Sequence, residues 1–210
     1  MKRFIIFVTC MMTVLVLSGC SMGNTPTRKV EGFLNNYNSN DSAVLEQLQE
    51  MVNSDSLMND TQRSKYSDIM KKQYKDMTYE IKDEVIDGDN ATVTAEIEVY
   101  DYYRINRESE DYYNNNQSEF VDTNNNNDSL AEDVKEGVEK AADKVTDAAE
   151  DAANAVSNSK FIDYRLDKLD NAKDRVKYTI DFTLTKVDDN WKLNDIDDIT
   201  RQKLHGLYEH

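Results

Sequence analysis

The chain changes hydrophobic period several times, and each change marks a predicted element. Val30, Phe33, Leu34 and Tyr37 recur at helical spacing behind Thr25-Pro26, a capping hydroxyl followed by a proline suited to the first helical position. Asn38 to Asp41 is a polar break, after which Val44, Leu45, Leu48 and Val52 make a second amphipathic face. Asp60 or Thr61 opens a third, with Tyr66, Ile69, Met70 and Tyr74 on one side. Each of these helices is too short to stand alone and needs a partner over its stripe.

From Thr78 the period falls to two. Tyr79 and Ile81 alternate in a strand predicted to run to Ile86, and Asp87-Gly88-Asp89-Asn90 reads as a hairpin turn, because Gly and Asx residues tolerate positive φ. Ala91, Val93, Ala95, Ile97 and Val99 then face one way and Thr92, Thr94, Glu96 and Glu98 the other, the pattern of an antiparallel strand with one wet face. The same alternation returns late in the chain at Val176, Tyr178, Ile180, Phe182 and Leu184. Asp188-Asp189-Asn190 turns, Trp191 and Leu193 begin a last short strand, and Ile196 to Tyr208 closes the chain with a short helix.

Between these strand regions the chemistry differs. Arg104 to Asn127 is Asn, Ser, Asp and Glu with scattered tyrosines, and little there could offset the entropy of ordering. Asp128 to Ser157 is acidic and alanine-rich, with Val134, Val138, Ala141, Val145, Ala148 and Ala152 in a narrow helical seam close to a heptad. Phe161, Tyr164, Leu166 and Leu169 carry more bulk and should dock on the body. The expected organisation is one α+β domain, residues 26–103 and 159–208, interrupted at 104–158 by a flexible Asn-rich loop plus an acidic helical insertion.

Ahead of all this, Lys2 and Arg3 precede an apolar run from Phe4 to Leu17, too short to span a bilayer and shaped as a secretory signal. The run ends Leu17-Ser18-Gly19-Cys20, which resembles the lipobox of bacterial lipoproteins. That resemblance implies removal of residues 1–19 and a diacylglyceryl group, with palmitate-type chains, on Cys20; residues 20–25 would then be the lipidated cysteine and a short tether. One acyl chain anchors only marginally and two anchor stably. The implied location is the extracytoplasmic face of the cell membrane, and the abundance of Asn and Lys points to a Gram-positive envelope.

Three helices, then strands, then a hairpin ending Trp191-Lys-Leu resemble the cone-shaped domains related to nuclear transport factor 2, a fold found among small bacterial lipoproteins of unknown function. The resemblance covers about Thr25 to Tyr103 and Arg175 to Tyr208, and implies helices packed on a curved antiparallel sheet. Relatives of that fold include ketosteroid isomerase-like enzymes, but none of their catalytic residues can be placed on this chain.

Composition narrows the chemistry. The net charge of -16 becomes -18 when Lys2 and Arg3 leave, which argues against nucleic acid as a partner. Cys10 leaves as well, so Cys20 is the last cysteine and thiolate chemistry is excluded by count. The two histidines, His205 and His210, stand at the C-terminus, where a metal site or a Ser-His-Asp triad is not expected. No cofactor or metal is expected, and no catalytic residue is assigned. Asp101 keeps the parity of the inward set, which would place a carboxylate at the mouth of the core; the favoured alternative ends the strand near Tyr100 and leaves Asp101 solvated. Tyr100, Tyr102, Tyr103, Tyr112 and Tyr113, with Asp101, are the candidate contact residues for a ligand or an envelope protein, since tyrosines outside a core favour contact surfaces. Trp191 reads as a plug over the end of the core. The leading expectation is therefore a membrane-anchored, non-catalytic binding or scaffold domain. Two others stand beside it: a cone-fold enzyme of isomerase or dehydratase type, and a structural protein acting through the acidic helix.

Overall fold

The computed structural model describes residues 24–120 and 158–210. The signal, Cys20 and the acidic segment Asp128 to Ser157 lie outside the described residues.

The fold is α+β, with helices leading into an open, four-stranded antiparallel sheet of order β1-β2-β3-β4. Helix α1 (Pro26–Asn38) starts where the sequence predicts: the Thr25 side chain accepts a hydrogen bond from the Arg28 N–H, and Val30, Leu34 and Tyr37 are buried. Asn40, at φ 52°, turns the chain into α2 (Ser42–Ser54), capped by Asp41 and burying Val44, Leu48 and Val52. Helix α3 (Asp60–Asp76) opens with a capping box in which Asn59 and Gln62 satisfy each other's backbone N–H. The Asn38 side-chain amide donates to the Tyr74 and Met77 carbonyls at 2.8 and 2.7 Å, so the end of α1 ties down the end of α3.

Strands β1 (Thr78–Asp87) and β2 (Asn90–Tyr100) form the first hairpin, turned by Gly88 at φ 59°. β2 pairs along its whole length with β3 (Arg175–Val187), from Asn90 opposite Thr185 to Tyr100 opposite Arg175. The alternation therefore sorts as read. Val93, Ala95 and Ile97 lie buried opposite Phe182, Ile180 and Tyr178, and the other face is a lattice of Thr, Glu, Lys and Asp. On that face Thr94 donates to Asp181 at 2.6 Å and Lys177 pairs with Glu96 at 3.0 Å. β4 (Asn190–Leu193) follows a turn in which Asp188 and Asp189 both hold positive φ, 49° and 60°. Trp191 is buried and closes that end of the core.

β1 departs from simple alternation. A bulge shifts its register between Ile81 and Asp83, which brings Glu84 opposite Val93. The Glu84 carboxylate there accepts from the Thr27 N–H and hydroxyl at 2.8 and 2.7 Å, meeting an orphan donor at the positive end of α1.

The flexible loop expected from Arg104 to Asn127 is corrected as far as Phe120, and residues 121–127 lie outside the described residues. Asp101 caps a helix, α4 (Tyr102–Asn115), followed by α5 (Gln117–Phe120). After the insertion, α6 (residues 158–170) runs along α3, burying Ile162, Leu166 and Leu169. Gln62, itself buried, donates from its amide to Ser159 and Asp163, and Lys65 pairs with Asp167. α4 is polar along most of its length, but the order comes from an aromatic cluster across the insertion. Tyr113 lies 4.6 Å from Phe161, Tyr112 stacks on Tyr164 at 5.1 Å, and Phe120 meets Tyr164 at 5.7 Å. The two ends of the insertion are thus pinned side by side. The last helix, α7 (Asp198–Leu204), is capped by Asp197 and leads into a tail that returns to the end of β2.

Candidate functional site

A cleft of about 570 Å³ opens between the N-terminal helices and the C-terminal segment. α1 contributes Phe33 and Tyr37, α2 contributes Val44, Gln47, Leu48, Glu50 and Met51, and α3 contributes Tyr74. The opposite wall is Leu193 to Ile196 beyond β4, with Arg201 and His205 of the α7 region. This is within the size of ordinary small-molecule sites.

An aromatic row runs through its floor. Phe182 packs on Phe33 at 5.7 Å, Phe33 on Tyr37 at 5.3 Å, Tyr37 on Tyr74 at 5.1 Å, and Tyr74 meets the His205 ring at 5.7 Å. Burial raises the pKa of Tyr37 and of Tyr74, so both hydroxyls stay protonated. Burial first, then the Arg201 charge, lowers the His205 pKa to about 4. At neutral pH its imidazole is uncharged, one nitrogen a donor and the other an acceptor. Neither nitrogen has a hydrogen-bond partner among the described residues.

The charges at the rim are unequal. Arg201 is bonded to Asp198 at 2.6 Å, within the first turn of α7. Glu50 and Asp195 are exposed, and among the described residues neither carboxylate has a partner. The cleft thus offers an aromatic and aliphatic flank beside the amides of Gln47 and Asn194, one neutral imidazole and a net negative mouth. No serine, threonine or cysteine lines it, and no carboxylate orients His205, so the arrangement that activates a hydroxyl nucleophile is not assembled there. Among the described residues no three His, Cys, Asp or Glu side chains stand close enough to hold a metal ion.

No family model, curated protein or solved structure matches the chain.

The residues expected to make contacts are scattered over three places, none of them the cleft. Tyr100 donates to the Asp76 carboxylate at 2.8 Å, stacks on Tyr102 at 6.0 Å and carries the Arg175 guanidinium 5.0 Å over its ring. Tyr102 is buried, its hydroxyl on the Ile69 carbonyl at 3.3 Å. Tyr112 and Tyr113 belong to the cluster that pins the insertion. Tyr103 borders a shallow hollow of about 290 Å³ with Arg104, Arg107 and His210. That hollow is no anion site, because Arg104 already meets Asp101, Glu108 and Asp174.

Asp101 corrects both expectations made for it. The strand does end at Tyr100, yet Asp101 is 5 % exposed, not solvated. Nor does its carboxylate point into the core. It accepts from the Arg104 N–H at 3.0 Å, caps α4, and lies 3.4 Å from the His210 ring. The acid that an isomerase-type reading needs is thus engaged in a helix cap outside the cleft. His205 is the site residue that sequence reading passed over, because its partner Tyr74 lies more than a hundred residues earlier in the chain.

Proposed function

We propose that the chain is a lipid-anchored, extracytoplasmic, non-catalytic binding protein, and that its ligand site is the cleft between α1, α2 and the β4–α7 segment. The observation that carries the binding half is a neutral, unpartnered imidazole set in an aromatic wall. The ring nitrogens are reached from the cleft, where a ligand donor or acceptor can bond to them against the aromatic wall.

The anchor half rests on the signal and the lipobox-like Leu17-Ser18-Gly19-Cys20. The start of the described chain supports it geometrically. The Asn24 side chain donates to the Asp189 carbonyl at 2.7 Å and accepts the Trp191 N–H at 3.1 Å. Only residues 21–23 separate it from Cys20, a reach of at most ~3.5 Å per residue. Such an anchor would hold the β1–β2 and β3–β4 turns toward the bilayer. Asp87, Asp89, Asp188 and Asp189 in those turns would be repelled by anionic head groups, so the domain would stand on the membrane without sinking into it.

Two experiments test the two halves. In a bacterial host fed a labelled fatty acid, the full chain should take up label and sediment with membranes, and Cys20→Ala should lose both. Label retained by Cys20→Ala would refute the anchor. For the cleft, ligand-detected NMR with uncharged and cationic fragments should show binders to the wild type that Gln47→Trp excludes by filling the mouth. Equal binding to that variant would refute the site.

A further inference from the structure

The cleft has a neighbour. A second cavity of about 400 Å³ lies beyond Met51, between α2 and α6, with Met58, Leu166, Leu169 and Leu207 among its walls. Met51 lines both cavities, and apart from it their linings share no residue. Its side chain is half-buried. Methionine is unbranched with three rotatable bonds, so it can swing where a β-branched residue would block.

The second cavity repeats the chemistry of the first. Met51, Met58, Leu166, Leu169 and Leu207 form an apolar flank opposite polar groups such as Ser54 and Asn106, and the Tyr66 hydroxyl there has no hydrogen-bond partner among the described residues. Burial raises the Tyr66 pKa, so that group stays a neutral donor and acceptor. Asp55 and Arg165, one of each sign, stand at the same cavity, whereas the mouth of the first holds the unpaired Glu50 and Asp195.

We propose that the two cavities form one site, divided by a movable Met51, for a linear amphiphile: an alkyl chain lying past Met51 with a cationic head between Glu50 and Asp195. This rests on reading the cleft as a binding site and adds the class of ligand. Two adjoining cavities that share Met51 and each carry an apolar flank suit a chain better than a compact ring system. The free carboxylates at the mouth, on a chain of net charge -16, select a cation over an anion.

The probes are n-alkyltrimethylammonium ions of six to fourteen carbons, kept below their micelle concentrations. They are titrated calorimetrically into residues 21–210, which keep every described residue and carry no lipid. Circular dichroism confirms that each sample stays folded. The expected affinity rises roughly four-fold per added methylene, through the whole series. Leu207→Phe, which narrows the second cavity without touching the first, should leave the short probes unchanged and stop the gain for the long ones. Ser54→Phe, at an exposed position that also lines only the second cavity, should do the same and stands in if Leu207→Phe does not fold. A wild-type gain that stops at the same length as in these variants overturns the joined site but leaves the cleft as a binder. Binding that is equally tight for alkyl sulfates overturns the head-group assignment. If no probe of any length binds and the fragment screen is also empty, the cleft reading itself falls.

Discussion

Gly206→Ala should destabilise the domain by about 3–5 kcal/mol, the largest loss expected from a methyl group added at any of the described glycines. Gly206 follows α7 at φ 69°, a left-handed conformation that costs an L-residue roughly 1–2 kcal/mol. Its neighbours make matters worse. A Cβ would overlap the Tyr100 carbonyl oxygen and lie 2.5 Å from the Gln73 side-chain nitrogen. Neither can give way. Gln73 is fully buried and matches the Tyr100 backbone on both sides, accepting its N–H at 2.9 Å and donating to its carbonyl at 3.3 Å. Gly206 also accepts the Tyr103 N–H at 2.7 Å, so the displaced backbone would drag the start of α4 with it. Urea unfolding of the variant should show the loss, and a melting point lower by roughly 10 °C or more should accompany it. Gly88→Ala is the control: its φ is 59° but nothing lies near the added carbon, so only about 1 kcal/mol should go. Equal losses at the two positions would show that the contact with Tyr100 and Gln73 is not the cause.

The same contrast explains what could be read from the chain beforehand. Features that repeat along the sequence were legible. The inward run of β2 and its match on β3 each repeat a period of two, and the helix stripes of α1 to α3 repeat a period near 3.6, so their buried faces could be named. Thr25-Pro26 and the two turns announce themselves by local conformational preference. What escaped depends on residues far apart. α4 is polar over most of its length, and its partners Phe161 and Tyr164 lie beyond the insertion. The bulge at Lys82 has no glycine to mark it, and only the waiting Thr27 explains why Glu84 should be aimed at the start of α1. The cleft is wholly of this kind. Arg201 and His205 sit on and just past a seven-residue helix near the end of the chain, and they face side chains from α1 to α3. A lone histidine there reads as a tail residue until the tail is folded back. The tyrosines, by contrast, drew attention for their number, and most turned out to hold the body together.

His205 should give the protein an acid limb that ordinary carboxylates do not explain. Its folded pKa is lowered to about 4 by burial, whereas in an unfolded chain an imidazole titrates near 6.5. Between those values the unfolded state binds the proton more readily, so protons favour unfolding there. The stabilising condition, a neutral ring in both states, holds above about pH 6.5. It is lost as the pH falls through 4, and the full difference amounts to about 2–3 kcal/mol for a ring that keeps some contact with the cleft. The many carboxylates act differently, since acid relieves the repulsion in a chain of net charge -16. The comparison must therefore be made against a variant. In His205→Phe the ring against Tyr74 is kept and the titration removed, so its stability should vary less between pH 7 and pH 4 than that of the wild type, by the amount just given. Parallel pH profiles for the two proteins would mean that the imidazole is not held neutral by its surroundings. The same measurement bears on binding, because protonation of His205 places a positive charge inside the cleft beside Arg201. An alkylammonium head should then bind more weakly at pH 4 than at pH 7 in the wild type, and the decline should shrink in His205→Phe.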